Sequence, residues 1–212
     1  MKTDELINVL ATNLEPVKGG RLRNTFLVAL AMGGVAAVCL MLAAFGLPID
    51  AFGGEHIGFK VLALAFTLGL AAAGVAFLMR AARPGEPGPR PLIIVGFFLA
   101  IVLAGIAVLL FARPSAWGAL VFGPQWAACL FCIPLFAIAP FASLIWALRN
   151  GAPTNLALTG AIAGLVAGAL GAAVLAFHDP GASIPFIVIW YGGPIVLCAL
   201  AGAILGPRLL RW

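Results

Sequence analysis

The chain has 212 residues, of which 64% are hydrophobic and 9% are charged. A soluble globular domain carries about 25% charged residues, so this composition excludes an ordinary soluble domain and predicts a polytopic membrane protein. The formal net charge of +5 is small and scattered along the chain, which argues against a nucleic-acid partner. The four cysteines lie in apolar runs, unlike the disulfide framework of a secreted domain.

Residues 1–24 are predicted to form a soluble segment with a short amphipathic helix. Thr3 suits the N-cap position, and Asp4 and Glu5 suit the first turn, where the helix dipole favours acidic side chains. The apolar side chains that recur at helical spacing are Leu6, Ile7, Leu10 and Leu14. Two interpretations stay open: a helix that lies on the membrane surface, or a helix that docks into the groove of a soluble partner.

Six apolar segments follow, each of about 20 residues, which is the length needed to cross a hydrocarbon core of about 30 Å. Their approximate limits are Thr25–Leu47, Phe59–Met79, Leu92–Ala112, Gln125–Leu148, Leu156–Phe177 and Ile184–Leu205. We therefore predict an all-α fold, with a six-helix transmembrane bundle over residues 25–206 and a C-terminal tail over residues 207–212.

The basic residues predict the orientation of this bundle. An even number of spans places both termini on the same side of the membrane. Lys60 and Arg113 lie on the opposite side. The basic residues on the side of the termini are Lys2, Lys18, Arg21, Arg23, Arg80, Arg83, Arg90, Arg149, Arg208 and Arg211. By the positive-inside rule, both termini are expected in the cytoplasm.

Glycine and proline shape the last three predicted helices. The glycines that form two consecutive GxxxG steps on one face of the fifth segment are Gly160, Gly164 and Gly168. They allow a neighbouring backbone to approach closely. Packing within the chain is favoured over a dimer interface, because five other helices need partners. Pro134, Pro140 and Pro194 each remove a backbone hydrogen bond and are expected to kink or widen the fourth and sixth helices.

Few side chains suggest chemistry. No hydrolase triad, phosphate-binding loop or paired intramembrane carboxylate is visible, so an enzyme is not expected. Cys129 and Cys132 share a face near the outer end of the fourth segment, and His178 and Asp179 follow the fifth. These four residues are candidate ligands of a soft-metal or redox site. The alternative is that the thiols serve in packing, because cysteine behaves as a small hydrophobe.

Several motifs, in order, resemble the NrsF family of six-helix inner-membrane anti-sigma factors of proteobacteria. The motifs are the opening MKTDELI, CLFCIP (129–134), LRNGAPT (148–154), WYG (190–192) and the terminal GPRLLRW (206–212). The resemblance spans essentially the whole chain. It implies a bacterial inner-membrane location and a regulatory role. A small transporter or channel subunit is the alternative, which the absence of acidic residues within the predicted spans disfavours.

The resemblance also implies a partner. The cytoplasmic N-terminal segment of the family binds an extracytoplasmic-function sigma factor and holds it away from RNA polymerase. The anchors expected here are again Leu6, Ile7, Leu10 and Leu14. A heavy-metal or oxidative signal then releases the sigma factor. No resident cofactor is expected, a heavy-metal ion acting as a transient signal at most, and the oligomeric state is left open.

One sensing residue of the family is missing. Family members carry two cysteines that face the periplasm, and Cys129 matches the one in the CysLeu motif. The second family cysteine directly follows a histidine, but this chain has Asp179 after His178. A two-thiol switch of the family kind therefore requires a substitute, for which Cys132 is one helical turn away. The alternative is that this member senses a different signal or has lost thiol sensing.

Overall fold

The computed structural model describes residues 21–47, 57–82, 92–123, 125–151, 153–178 and 183–211. Six helices in these ranges are long and apolar enough to cross a membrane. We label them α1 (Arg21–Phe45), α2 (Ile57–Ala81), α3 (Leu92–Phe111), α4 (Trp126–Leu148), α5 (Leu156–Ala176) and α6 (Ile184–Leu209). The predicted all-α, six-helix architecture is confirmed. The predicted docking residues Leu6, Ile7, Leu10 and Leu14 lie outside the described residues.

The first and last helices extend beyond the apolar segments from which they were predicted. α1 begins at Arg21, ahead of Thr25, because arginine and leucine are good helix formers. α6 continues through Pro207 to Leu209, so the predicted C-terminal tail is partly helical. The last turn of α6 is held by a hydrogen bond in which Nε of Arg149 donates to the carbonyl oxygen of Leu209, at 2.9 Å.

α5 is the central helix of the bundle, and its alanines and glycines are almost all buried. It packs most extensively against α6, and also against α4 and α2. A Cβ atom at Gly160 would overlap the carbonyl oxygen of Gly202, and one at Gly164 would overlap that of Cys198. A Cβ atom at Gly168 would contact Ile195 and Cys198, which are both in α6. The three predicted glycines therefore pack against another helix of the same chain, at the interface between α5 and α6.

α1 runs antiparallel to α4 and packs along it. A Cβ atom at Gly33 would lie 2.6 Å from Cα of Pro140, so the two backbones are in close contact there. Further along, the ring of Phe45 meets that of Phe136 edge-on, with 6.3 Å between centroids. The start of α1 consequently lies at the same end of the bundle as the end of α4.

α6 changes its helical geometry near its start. An α-helical turn at Ile184–Phe186 passes into a π-helical turn at Ile187–Tyr191, and an α-helix continues over Gly192–Leu209. The π turn ends shortly before Pro194, whose missing N–H removes one α-type hydrogen bond. The sixth helix is thus widened next to Pro194, as the sequence predicts. α4 contains Pro134 and Pro140 and continues without a break.

Candidate functional site at the two ends of the bundle

One end of the bundle is formed by the turn between α4 and α5. Asn155 caps α5, because its side-chain oxygen accepts a hydrogen bond from the backbone N–H of Leu158 at 3.0 Å. Gly151 lies close to Ala82 at the end of α2. Arg149 reaches from this turn to Leu209, as described above. The turn therefore joins the ends of α2, α4 and α6.

This end of the bundle is strongly basic. The described basic side chains that the helix ends place there are Arg23, Arg80, Arg149, Arg208 and Arg211. Lys60 near the start of α2 and Arg113 after α3 lie at the opposite end. The described part of the chain contains no Asp or Glu, so nothing within it neutralises the cluster. Most of the described basic residues therefore lie at one end of the bundle, in agreement with the charge asymmetry of the sequence.

The opposite end carries a cluster of aromatic side chains between α3 and α6. The connection after α3 forms a short helix at Trp117–Val121, and the indole N–H of Trp190 donates to the carbonyl oxygen of Val121 at 2.8 Å. Trp126 packs against Trp190 with 5.0 Å between ring centroids. The contact between Trp190 and Val121 was not predicted from the sequence. The presence of Trp190 could have indicated such a contact, because a partly buried indole N–H needs a hydrogen-bond acceptor.

The two candidate sensing thiols lie at this aromatic end. Cys129 is in the first turn of α4 and is 1% exposed, whereas Cys132 on the next turn is half-buried. No disulfide joins the four cysteines, all of which lie in the described ranges. Cys129 is part of the hydrophobic core, and Cys132 packs against that core from its edge. The pair is therefore adjacent along the helix but differs in its access to the surroundings.

His178 lies just beyond α5, near the end of α1. Its ring packs on that of Phe45 with 4.9 Å between centroids. Its Nδ1 atom is buried and has no hydrogen-bond partner. Among the described residues, no group of three or more His, Cys, Asp or Glu is close enough to hold a metal ion, so Cys129, Cys132 and His178 do not form a three-ligand set. Asp179 lies outside the described residues, and the four-ligand site stays a prediction.

The chain is similar to one known family of proteins over most of its length. The family described as "Negative regulator of sigma F" (NrsF) matches residues 10–212, which is most of the chain. The chain belongs to the NrsF family. The resemblance expected from the sequence motifs is thereby confirmed, and membership makes the chain a regulatory protein of the anti-sigma type.

Two curated relatives match the chain over the full length of both sequences. The probable anti-sigma-F factor NrsF of Azospira oryzae is 30% identical over 217 aligned residues. The anti-sigma-F factor NrsF of Caulobacter vibrioides is 35% identical over 221 aligned residues. No solved structure shows significant similarity to the chain.

Proposed function

We propose that the chain is an inner-membrane anti-sigma factor that holds an extracytoplasmic-function sigma factor through its cytoplasmic N-terminal segment. A stress signal from the periplasm, a heavy metal or an oxidant, releases the sigma factor. The observation that carries this proposal is the full-length similarity to two anti-sigma-F factors. The distribution of charge and the contact between α1 and α4 support the details.

The orientation is supported by the basic end of the bundle. Five described arginines lie there, against Lys60 and Arg113 at the other end. The positive-inside rule assigns the basic end to the cytoplasm. Trp126 and Trp146 lie 20 residues apart in α4, and both are exposed on its surface. At 1.5 Å per residue they are about 30 Å apart, which matches the aromatic belts at the two faces of a hydrocarbon core.

The docking segment is continuous with this cytoplasmic end. α1 begins at Arg21, so residues 1–20 extend from the end that carries the arginines. A helix with Leu6, Ile7, Leu10 and Leu14 on one face suits a hydrophobic groove of a soluble partner. Such a short helix is marginal alone in water, so binding to the sigma factor supplies the burial that orders it.

The contact between α1 and α4 provides a route from the periplasmic side to the docking segment. Cys129 and Cys132 lie at the start of α4, and Pro134 and Pro140 follow within the same helix. α1 touches α4 near Pro140 and again through Phe45. Oxidation of the thiols, or their binding of a metal ion, would change the orientation of α4 at its prolines. α1 would transmit this displacement to residues 1–20.

Co-purification from the native host tests the docking role. The full-length chain is compared with a variant that lacks residues 1–20, both extracted in mild detergent. We expect a small sigma factor to be recovered with the full-length chain and to be lost with the truncated chain. Recovery with neither chain would contradict the anti-sigma proposal, and recovery with both would place the docking surface on the bundle itself.

A matched pair of point variants tests the docking face. Leu10→Asp introduces a charge on the predicted apolar face, and Thr12→Asp introduces the same charge on the opposite face of the same helix. We expect Leu10→Asp to release the sigma factor and Thr12→Asp to retain it. Equal retention by both variants would show that the apolar face is not the docking surface.

A further inference from the structure

A groove between α4, α5 and α6 is a feature of the bundle that the anti-sigma role does not use. Its cavity measures about 320 Å³. Pro134 and Phe141 of α4 form one wall, and Leu197 and Ala201 of α6 form the other. Gly164 of α5 contributes to its floor. The lining is almost entirely apolar, so the groove suits a hydrocarbon rather than a polar ligand.

The groove lies at the middle of the bundle and opens to its surface. Ala137, which lines it, is eleven residues from either end of α4, or about 16 Å at 1.5 Å per residue. Ile138 and Leu197 line the same groove and are 62% and 52% exposed. In a chain of this hydropathy, an exposed apolar surface at that depth faces the lipid tails.

The volume of the cavity decides between a helix and a hydrocarbon chain. A helix with side chains is about 10–12 Å across and rises about 5.4 Å per turn, so the cavity of about 320 Å³ holds less than one turn of it. A methylene group occupies about the volume of a water molecule, roughly 30 Å³, so the cavity accommodates about ten methylene groups. That is a substantial length of one acyl chain.

The N-terminal segment of the chain is an unsuitable occupant. Residues 1–20 contain Lys2, Asp4, Glu5, Glu15 and Lys18. Charged side chains at the centre of a bilayer are costly, and the groove offers them no polar partner. The start of α1 also lies at the basic end of the bundle, away from the middle of α4.

We propose that this groove binds one acyl chain of a bilayer phospholipid between α4 and α6. The acyl chain lies along Phe141 and Leu197 and contacts α5 where Gly164 and Ala167 line the groove. Because the groove follows the segment of α4 between Pro134 and Pro140, the acyl chain supports that proline-containing segment from the membrane side. This site is independent of the proposed docking of a sigma factor.

Photolabelling of the full-length chain in lipid vesicles tests the site. The vesicles contain phosphatidylethanolamine and phosphatidylglycerol, with a small fraction of a phosphatidylethanolamine that carries a diazirine midway along one acyl chain. Labelled residues are mapped by mass spectrometry. We expect labelling around Ala137, Cys198 and Ala201 to exceed that around Ala100, an exposed residue in the middle of α3, by about fivefold, since a bound chain stays in contact longer than a passing one.

A pair of variants separates binding in the groove from general exposure to lipid. Ala201→Phe fills the groove from α6, whereas Ala100→Phe adds the same ring on the exposed face of α3. We expect Ala201→Phe to lower labelling of Ala137 and Cys198 about fivefold, because its ring occupies the volume of the acyl chain. Labelling of α3 should stay unchanged in this variant, which also shows that the bundle is intact.

Three outcomes would overturn the proposal. In the first, each residue of α3 and α6 in the native chain is labelled in proportion to its exposure, with no excess at the groove. This outcome is measured on the native chain and so does not depend on the folding of a variant. Another is unchanged labelling of Ala137 in Ala201→Phe when labelling of α3 is preserved. The third is crosslinking of two copies through the Cys198 region, which would identify a second chain as the occupant.

Discussion

At the scale of single residues, the close packing of the bundle depends on glycines, which have no side chain. The backbones of α5 and α6 approach so closely that a Cβ atom at Gly164 would overlap the carbonyl oxygen of Cys198. Gly202 and Gly206 of α6 are also four residues apart and face Gly160. Each helix therefore presents a GxxxG step to the other, an arrangement that lets van der Waals contact hold two helices together in an apolar medium.

Gly164→Ala is expected to destabilise the bundle by about 1–3 kcal/mol, because the added methyl group meets backbone rather than a movable side chain. Unfolding in mixed detergent and SDS micelles, followed by tryptophan fluorescence, measures the change. Gly34→Ala is the matched control, since a Cβ atom there meets nothing within 4 Å. Its free energy of unfolding should be unchanged or raised by about 0.5 kcal/mol, the gain in helix propensity. Equal losses in both variants would contradict the packing role of Gly164.

Trp190→Phe tests the aromatic end by retaining a ring and removing the N–H that Val121 accepts. The loss of one hydrogen bond is expected to cost about 1 kcal/mol and to loosen the connection between α3 and α4. Hydrogen exchange of the backbone amides in Trp117–Val121 should become faster. Trp146→Phe, at the exposed opposite end of α4, is the control and should leave that segment unchanged. A segment equally protected in both variants would show that the indole bond does not hold it.

At the scale of helices, the sequence predicts where each helix lies but not which helices touch. Hydropathy and length identify all six helices, because a span of hydrocarbon imposes a length of about 20 residues. The antiparallel contact of α1 with α4 depends on Gly33 meeting Pro140, and no local pattern indicates that pairing. The short helix at Trp117–Val121 escaped prediction for a similar reason, since its register depends on the distant Trp190.

The candidate site was predictable to a lesser extent. Spacing alone places Cys129 and Cys132 on one face of α4, because residues three apart are neighbours on a helix. It does not indicate that Cys129 is buried while Cys132 is half-buried, which depends on the packing of other helices against α4. The stacking of His178 on Phe45 joins residues far apart in sequence and likewise requires the tertiary structure.

Arg149→Met tests the turn that joins the ends of three helices. The variant keeps much of the apolar stem but removes the Nε donor to the carbonyl oxygen of Leu209. Because this group is exposed, the loss of stability should be small, about 0.5 kcal/mol. The local effect should be larger: the backbone amides of the last turn of α6 should exchange severalfold faster. Arg80→Met, at the same end of the bundle, is the control, and equal rates in both variants would contradict the role of the Arg149 contact.

At the scale of the whole molecule, charge is expected to set the orientation. The basic end carries five described arginines, and the opposite end carries Lys60 and Arg113. A fluorescent protein fused after residue 212 should fold and fluoresce, because the positive-inside rule places it in the cytoplasm. Alkaline phosphatase inserted after residue 181 should be active, because the same rule assigns that connection to the periplasm. The reverse pattern of the two reporters would contradict the proposed orientation and the cytoplasmic docking of the sigma factor.

The proposed coupling of the two ends of the bundle leads to a prediction about sensing. If the thiols at the start of α4 receive the signal, Cys129→Ala and Cys132→Ala together should keep the sigma factor bound under heavy-metal or oxidative stress. Cys39→Ala and Cys198→Ala together remove the same number of thiols from α1 and α6 and should leave release intact. Sigma-dependent reporter expression before and after stress measures both. Because alanine fills the buried site of Cys129 without a polar atom, a low reporter signal without stress would show that the variant still folds and binds. Normal induction in the first variant would assign the thiols to packing, and α4 would then transmit a signal received elsewhere.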